Sequence, residues 1–359
     1  MASHLTPLEL NSDLQIMYGG EIRTRGIMNN DDAERDGGWF DNRLRFDLAA
    51  KIADKVGIGW STEIGDIVWS DLGNTYDMLE TRELYLDYQM NWMDMKVRFG
   101  QQYWADHRAL ILDDYFSGIS ADLNLAGIPT ELGFMKTYEG NVHYLDDAHV
   151  AFANFMFKAP VDWGLTAMFG QCHDDHAADL WVIPYFMLNF EPVTLDLTAV
   201  INQQMYNEDY YAEDSAMGIA FAAKLGLDAG VKLGADFLMV TEDGINTLSP
   251  YYTNGLYLFG NQLPYDGVQI SSDYNWGENY MSIVGTAAYP LNEKAEIYGA
   301  VGMVSADDPI GMELNVGMNY KLAEKLHFNP VLAVGQTGER IDADENMVYM
   351  LGGLLKAEF

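Results

Sequence analysis

Period-two alternation of apolar and polar residues runs through this chain from end to end, in stretches of ten to fourteen residues. Successive side chains of a β-strand point to opposite faces, so each stretch has one face for an apolar medium and one for water. The cleanest example sets Met312, Leu314, Val316, Met318, Tyr320 and Leu322 against Glu313, Asn315, Gly317, Asn319 and Lys321. Leu44, Phe46, Leu48, Ala50 and Ile52 alternate in the same way with Arg43, Arg45, Asp47 and Lys51. Val231, Leu233, Ala235, Phe237 and Met239 alternate with Lys232, Gly234, Asp236 and Leu238. Strands of soluble sandwiches average about five or six residues. Crossing a bilayer at a tilt takes about 9–11, and these stretches are long enough. No run approaches 18 uncharged apolar residues, which excludes transmembrane helices. No short fixed repeat of the kind a parallel β-helix needs is visible.

The connections alternate in length. Short ones read Asp54-Lys55, 91–94, 126–129, 160–162, Glu191-Pro192, Leu227-Asp228, 292–294 and Ala323-Glu324, and they suit tight hairpin turns. Between them fall longer, acidic connections at 28–37, 70–77, 105–114, 140–147, 172–178, 207–213, 242–275, 305–309 and 338–346. Eight short turns and nine long loops join 18 strands, with both chain ends on the short-turn side. Pro184 and the weak alternation near 147–158 leave 16 as the other count. The pattern predicts an all-β fold: a single transmembrane antiparallel β-barrel of outer-membrane type, with about 18 strands. The barrel is expected over 12–359, after an N-terminal segment 1–11 that is in part an added start, or plug-like. Met1-Ala2-Ser3-His4 has neither the basic start nor the apolar core of a secretion signal, so the barrel reading requires that signal to have been removed.

The last strand supports the same fold. Met347, Tyr349, Leu351, Gly353, Leu355 and Ala357 fall on one face, and the chain ends at Phe359, an aromatic terminus like those by which outer-membrane proteins are recognised for assembly. Aromatic residues gather at the expected strand ends in two belts. Trp92, Trp163, Phe190, Tyr289, Tyr320 and Phe328 lie beside short turns, and Trp39, Trp60, Trp69, Tyr103 and Trp104 lie toward long loops.

Charge and cysteine narrow the function. A formal charge of −34 argues against nucleic acid, which needs surplus Lys and Arg. One cysteine, Cys172, permits no internal disulfide and no cysteine metal cage. No glycine-rich phosphate loop, nucleophile elbow or zinc-protease motif appears, so neither an enzyme nor a cofactor is expected. His173 and His176, and the acids at 30–32, 209–214 and 342–345, are read first as acidic loops for solubility outside the cell; loose uptake of Ca²⁺ that bridges lipopolysaccharide phosphates is the second reading, and a specific metal site at His173 and His176 the last.

The arginines are unevenly placed. Eight of nine lie in the first 108 residues. Phase puts Arg23, Arg25, Arg43, Arg45 and Arg98 on the polar face, with Lys96 beside Arg98. The same arc carries inward acids, Glu21, Asp47, Glu63, Glu83, Asp87 and Asp122. Two readings stand side by side. One is a salt network that stabilises the wall; the other is a track that holds anionic or polyhydroxylated solutes through forked hydrogen bonds. The 242–275 connection carries Tyr251, Tyr252, Tyr257, Phe259 and Tyr265. It is expected to constrict the lumen, cap its mouth or form a subunit contact.

Three segments carry a family resemblance: Glu83-Leu84-Tyr85-Leu86-Asp87-Tyr88, Val97-Arg98-Phe99-Gly100-Gln101-Gln102, and Leu112 through Leu123 with its Ser117-Gly118-Ile119-Ser120-Ala121-Asp122-Leu123. Over roughly residues 18–123 the chain resembles alginate-export-type outer-membrane porins, and Arg43-Leu44-Arg45-Phe46 suits that family's arginine-bearing second strand. The resemblance implies an 18-stranded barrel whose lumenal arginines form a path for acidic polysaccharide. Gln101-Gln102 stands where the family has Arg-Gln, and later strands bear almost no arginine, which turns the expectation toward a small-solute channel. The expected function is a passive porin in the bacterial outer membrane, as a monomer or homotrimer, for small hydrophilic, anionic or sugar-like solutes. Arg23, Arg25, Arg43, Arg45, Lys96 and Arg98 would orient the solute; Glu83, Asp87 and Asp122 would set the field. The alternatives are an occluded barrel that acts as an adhesin through its acidic loops, and a soluble acidic β-protein.

Overall fold

The computed structural model describes residues 6–9, 15–30, 38–68, 79–91, 94–138, 148–158, 161–172, 177–205, 216–260, 262, 279–341 and 346–359. The His173–His176 pair and the acidic stretches 31–32, 209–214 and 342–345 lie outside them, as do Trp69 and Trp92.

A short strand β1 (Thr6–Glu9) precedes the wall and pairs with the start of the next strand, Thr6 opposite Tyr18. The wall begins with β2 (Gln15–Asn29), β3 (Trp39–Ala53), β4 (Val56–Val68), β5 (Leu79–Met90), β6 (Met95–Ala105) and β7 (Asp113–Leu125). It continues through β8 (Ile128–Tyr138), β9 (Ala148–Lys158), β10 (Asp162–Cys172), β11 (Ala177–Phe190), β12 (Val193–Met205) and β13 (Met217–Asp228). The last third is β14 (Lys232–Val240), β15 (Met281–Asn292), β16 (Ala295–Ser305), β17 (Pro309–Ala323), β18 (Leu326–Thr337) and β19 (Met347–Glu358).

Each of these strands pairs antiparallel with its sequence neighbours, and β19 returns to β2 with Lys356 opposite Arg23. Among the described residues, eighteen strands, β2 to β19, thus close a ring with no open edge. The strand containing Pro184 is a full member. Proline has no N–H to give, and the β11–β12 register accommodates it by passing from Val182–Ile201 to Tyr185–Thr198.

The two faces separate as the alternation predicts. Met312, Leu314 and Val316 are 60%, 63% and 49% exposed, whereas Glu313 and Asn315 between them are buried. So dense an exposed apolar band suits hydrocarbon rather than water. Outward aromatics mark its short-turn edge: the Phe157 and Trp163 rings stack at 3.8 Å, with Phe186 6.2 Å beyond. Trp39 and Trp104 depart from the expected belt. Both are buried, and their indole N–H groups donate to the lumenal carboxylates of Asp41 and Glu131.

The lipid-facing assignment has a measurable consequence. Leu314→Arg should cost about 2–4 kcal/mol in equilibrium refolding into lipid vesicles, the cost of a cation near mid-bilayer. Asn319→Arg, on the water-facing side of the same strand, should cost little. Equal effects would contradict the assignment of faces.

Candidate functional site

The site is built first from the arc formed by β2 to β6 and β19. Asp41 is buried and receives the Arg25 Nε proton at 2.9 Å, with Arg25 Nη2 2.8 Å from the same oxygen and Arg23 Nη2 3.9 Å from the other. Arg43 Nη2 lies 3.3 Å from Glu21, and its Nη1 lies 3.9 Å from Glu63. Arg45 Nε donates to Glu63 at 2.5 Å, and Arg82 donates to the same carboxylate oxygen. Lys356 closes the group, 3.6 Å from Glu21. Three carboxylates, Asp41, Glu21 and Glu63, therefore serve six cations. Each guanidinium is a planar fork of five N–H donors, a geometry that suits carboxylates and hydroxyls.

A second group lies nearer the short turns. Asp87 holds Arg98 by a forked pair at 2.7 and 3.0 Å and Lys96 at 2.9 Å. The Arg98 guanidinium also lies 3.6 Å over the Tyr85 ring, a cation–π contact that fixes its plane. Asp122 is exposed and stands opposite Lys96 in the β6–β7 ladder. Glu83 is buried and accepts the backbone N–H of Tyr103 at 3.1 Å. All nine residues expected from the sequence face the lumen. Arg23, Arg25, Arg43 and Arg45 converge; Lys96, Arg98, Asp87 and Asp122 form the separate lower group.

Sequence reasoning left out Asp41, Arg82 and Lys356. Asp41 shares the phase of Arg43 and could have been found. Arg82 could not, because the register moves from Ser61–Glu83 to Thr62–Thr81 and leaves Arg82 as the extra residue of a bulge. A bulge re-aims its side chain, here toward Glu63. Lys356 joins only through closure of the ring.

At the edge of the arc, the β6–β7 hairpin leaves the wall. Pairing of β5 with β6 stops at Leu84–Gln101, and pairing of β7 with β8 stops at Ser117–Lys136. The segment between, 102–116, pairs with itself as far as Ala105–Asp113 and makes one further bridge, Leu112 to Ser249. Gly100 permits the departure, since its φ of +123° is open to glycine and a Cβ there would strike the Leu84 carbonyl. At the hairpin tip the Asp106 carboxylate accepts backbone N–H groups from Leu110 (3.0 Å), Ile111 (2.8 Å) and Leu112 (2.6 Å). The tip reaches across the lumen. His107 Nε2 is 2.9 Å from Asp196 on β12, and its ring stacks on Tyr185 of β11. Arg108 Nη2 donates at 2.5 Å to buried Asp236 on β14, which also accepts the Tyr252 hydroxyl.

The long β14–β15 connection enters from the other side. Of the three placements open from sequence, residues 241–260 take the lumenal one; 261 and 263–278 lie outside the described residues. Leu248 and Ser249 donate to the Ile111 carbonyl at 3.0 and 3.1 Å, Tyr251 donates to Ala109 at 3.0 Å, and Asp113 donates to Ser249 at 2.8 Å. Glu313 on β17 accepts the N–H groups of Tyr257, Leu258 and Phe259 at 2.9, 2.8 and 3.3 Å. Leu110, Ile111, Leu256 and Leu258 are fully buried in this partition. Between the partition and the arc lies a chamber of about 710 Å³. Arg23, Arg43, Arg45, Arg82 and Lys356 line it, against the carboxylates Glu21, Asp113 and Asp114, with Tyr115 and Tyr251 on the partition side.

No family model and no curated protein sequence matches the chain. Solved structures do. OpdO of Pseudomonas aeruginosa superposes with a TM-score of 0.65 at 13% identity, covering 96% of this chain and 97% of its own. OpdK of the same organism, solved with vanillate, gives 0.64 at 11%, covering 96% and 98%. OccAB4 of Acinetobacter baumannii gives 0.63 at 11%, covering 98% and 99%. The chain has the closed 18-stranded antiparallel barrel of the OprD/Occ porins, and at these identities the likeness carries the fold alone.

Two outcomes test the partition. Breaking a buried pair from one side costs about 3 kcal/mol or more, because it strands the other charge. Arg108→Ala should therefore raise amide exchange at Leu110–Leu112 and raise single-channel conductance; unchanged values would mean the tip is held by other contacts. Burial pushes the Asp106 carboxyl up to about 6, against the pull of its three N–H donors. Its folded value thus exceeds its ordinary one, so proton binding favours the turn. That contribution is complete below about pH 4 and is lost as pH rises through about 6. In a His107→Gln background, exchange at Leu110–Leu112 should be slower at pH 5 than at pH 8, after correction for intrinsic rates, and Asp106→Asn should flatten the difference.

Proposed function

We propose that this chain is an outer-membrane porin for passive diffusion of small hydrophilic solutes, with anionic or sugar-like solutes favoured along its arginine arc. The observation that carries this reading is the chamber of about 710 Å³ between a cation-rich wall and the hydrogen-bonded partition. Arg43, Arg45 and Arg82 present fixed, forked donors to a passing carboxylate or hydroxyl, and Arg23 and Arg25 hold Asp41 beside them. Lys96 and Arg98 continue the track toward the short turns, where Asp87 and Asp122 temper the field and Glu83 anchors the hairpin backbone. Because the arc's cations share carboxylates, a solute exchanges hydrogen bonds along the wall without being trapped by bare charge. Transport of this kind needs no cofactor and no energy source.

Two likenesses support the solute class. A protein of the same fold has been crystallised with vanillate, a small aromatic carboxylate. The 83–123 motifs resemble alginate-export-type porins, whose solute is also an acid. The buried apolar partition favours a second reading, a largely occluded barrel that acts through its loops at the cell surface.

Planar-bilayer recording separates the two. Discrete conductance steps are expected, with a reversal potential across a KCl gradient that moves toward cation preference in the Arg45→Gln/Arg82→Gln double variant. Correctly folded protein that never conducts would sink the porin reading and favour the surface-binding one.

A further inference from the structure

The structure assigns a second anion station, for the carboxylate of a small hydroxylated acid, to Lys224 on the wall opposite the arginine arc. It rests on the channel reading above and adds a site that the arc does not include. Lys224 lies on the lumenal phase of β13, four residues before that strand ends at its short turn. In the barrel ladder it stands between two carboxylates, Asp196 on β12 and Asp236 on β14. Both are committed elsewhere, Asp196 to His107 and Asp236 to Arg108 and Tyr252 of the partition. Among the described residues Lys224 has no carboxylate within ion-pair distance, and its side chain is exposed to the lumen.

The surroundings form a recess rather than a flat wall. One rung toward the short turns, Gly226 pairs with Gly234, and Thr194 and Thr286 flank the pair on β12 and β15. Thr194 Oγ1 lies 2.5 Å from where a Gly226 side chain would begin, and Thr286 Oγ1 lies still closer to that point at Gly234. Two hydroxyls therefore lean over a floor that bears no side chains. The recess opens into two chambers, of about 390 and 530 Å³, which share Lys224 and Gly226. Tyr257 and Tyr298 roof the first, their hydroxyls 3.1 Å apart. Lys232 also lines it, but is held by Glu296 at 2.6 Å. Asp236 also lines the first chamber, and Asp162 and Asp196 the second. One ammonium without an ion-pair partner, two threonine hydroxyls and two phenols suit a ligand with one carboxylate and several hydroxyls. His107 and Arg108 of the partition engage the two carboxylates beside Lys224 in the ladder, and its ammonium stays outside ion-pair distance of both.

Gluconate is the probe, with sorbitol as its uncharged counterpart. In single-channel recording, gluconate added on the short-turn side should block wild-type protein. Lys224→Gln should raise the half-blocking concentration about tenfold, the usual weight of one charge-assisted contact. Lys224→Arg should stay near wild type, and sorbitol should block weakly in all. An unchanged half-blocking concentration in Lys224→Gln, or equal block by sorbitol, would overturn the station while leaving the porin intact. If the protein never conducts, the channel reading fails separately, and calorimetric titration of the detergent-solubilised Arg45→Gln protein with gluconate reads the station directly. There too, Lys224→Gln should weaken binding about tenfold, and equal affinity would overturn the assignment. Heat-modifiable gel migration checks that each variant is folded.

Discussion

In hydrocarbon there is no water to satisfy a backbone N–H or C=O, and each one left unpaired costs several kcal/mol. That penalty governs the rest of this molecule. It forces the eighteen strands to close, β19 onto β2, and closure forces every second residue outward to lipid. The inner face is then the one place where a chain this rich in charge can put charge within the membrane span. Closure also brings Lys356, more than three hundred residues away in sequence, opposite Arg23. The cationic arc is thus in part a product of the same hydrogen-bond requirement that makes the wall.

The functional geometry appears where the regular ladder is relaxed. The bulge at Arg82 turns a residue of outward phase into the lumen, and Gly100 lets the β6–β7 hairpin peel away from β5. A hairpin that leaves the wall must find new partners for its backbone. Asp106 supplies three acceptor contacts to the tip, the 248–251 segment exchanges four hydrogen bonds with it, and Glu313 receives three N–H groups from the second loop. Buried carboxylates here act as acceptors for backbone that has left the sheet. This explains why acidic side chains occupy positions deep in the lumen that carry no solute path.

The architecture was legible because it is local. Alternation such as Met312–Leu322, and the exchange of short and long connections, follow from two-residue periodicity and turn chemistry, and they gave the count of eighteen strands; the turn expected at Leu227-Asp228 falls instead at 229–231, because β13 runs on to Asp228. The inward phase of Arg23, Arg25, Arg43, Arg45, Lys96 and Arg98 was legible for the same reason. Arg82 was hidden because a single inserted residue reverses phase, which periodicity cannot register. The crossing of His107 to Asp196 and of Arg108 to Asp236 was hidden because it joins strands that are distant both in sequence and around the ring. The aromatic belt was read too broadly for a related reason. Trp39 and Trp104 sit at strand ends, as belt residues do, but their phase carries them inward to Asp41 and Glu131.

Net charge and local charge point in opposite directions here, and the geometry decides between them. A formal charge of −34 is a property of the whole chain, and a charge beyond a screening length of about 8–10 Å acts little on a solute in the chamber. Within the chamber five cations face three carboxylates. That modest local excess matters more than its size suggests. An isolated guanidinium in a confined, poorly hydrated passage would hold an anion too firmly to release it. A guanidinium that already shares Glu63 or Glu21 gives the anion directed hydrogen bonds and little surplus charge. Carboxylates interleaved with the arginines therefore stabilise the wall and loosen its grip on the solute through the same contacts, so a wall network and a solute track are two consequences of one arrangement.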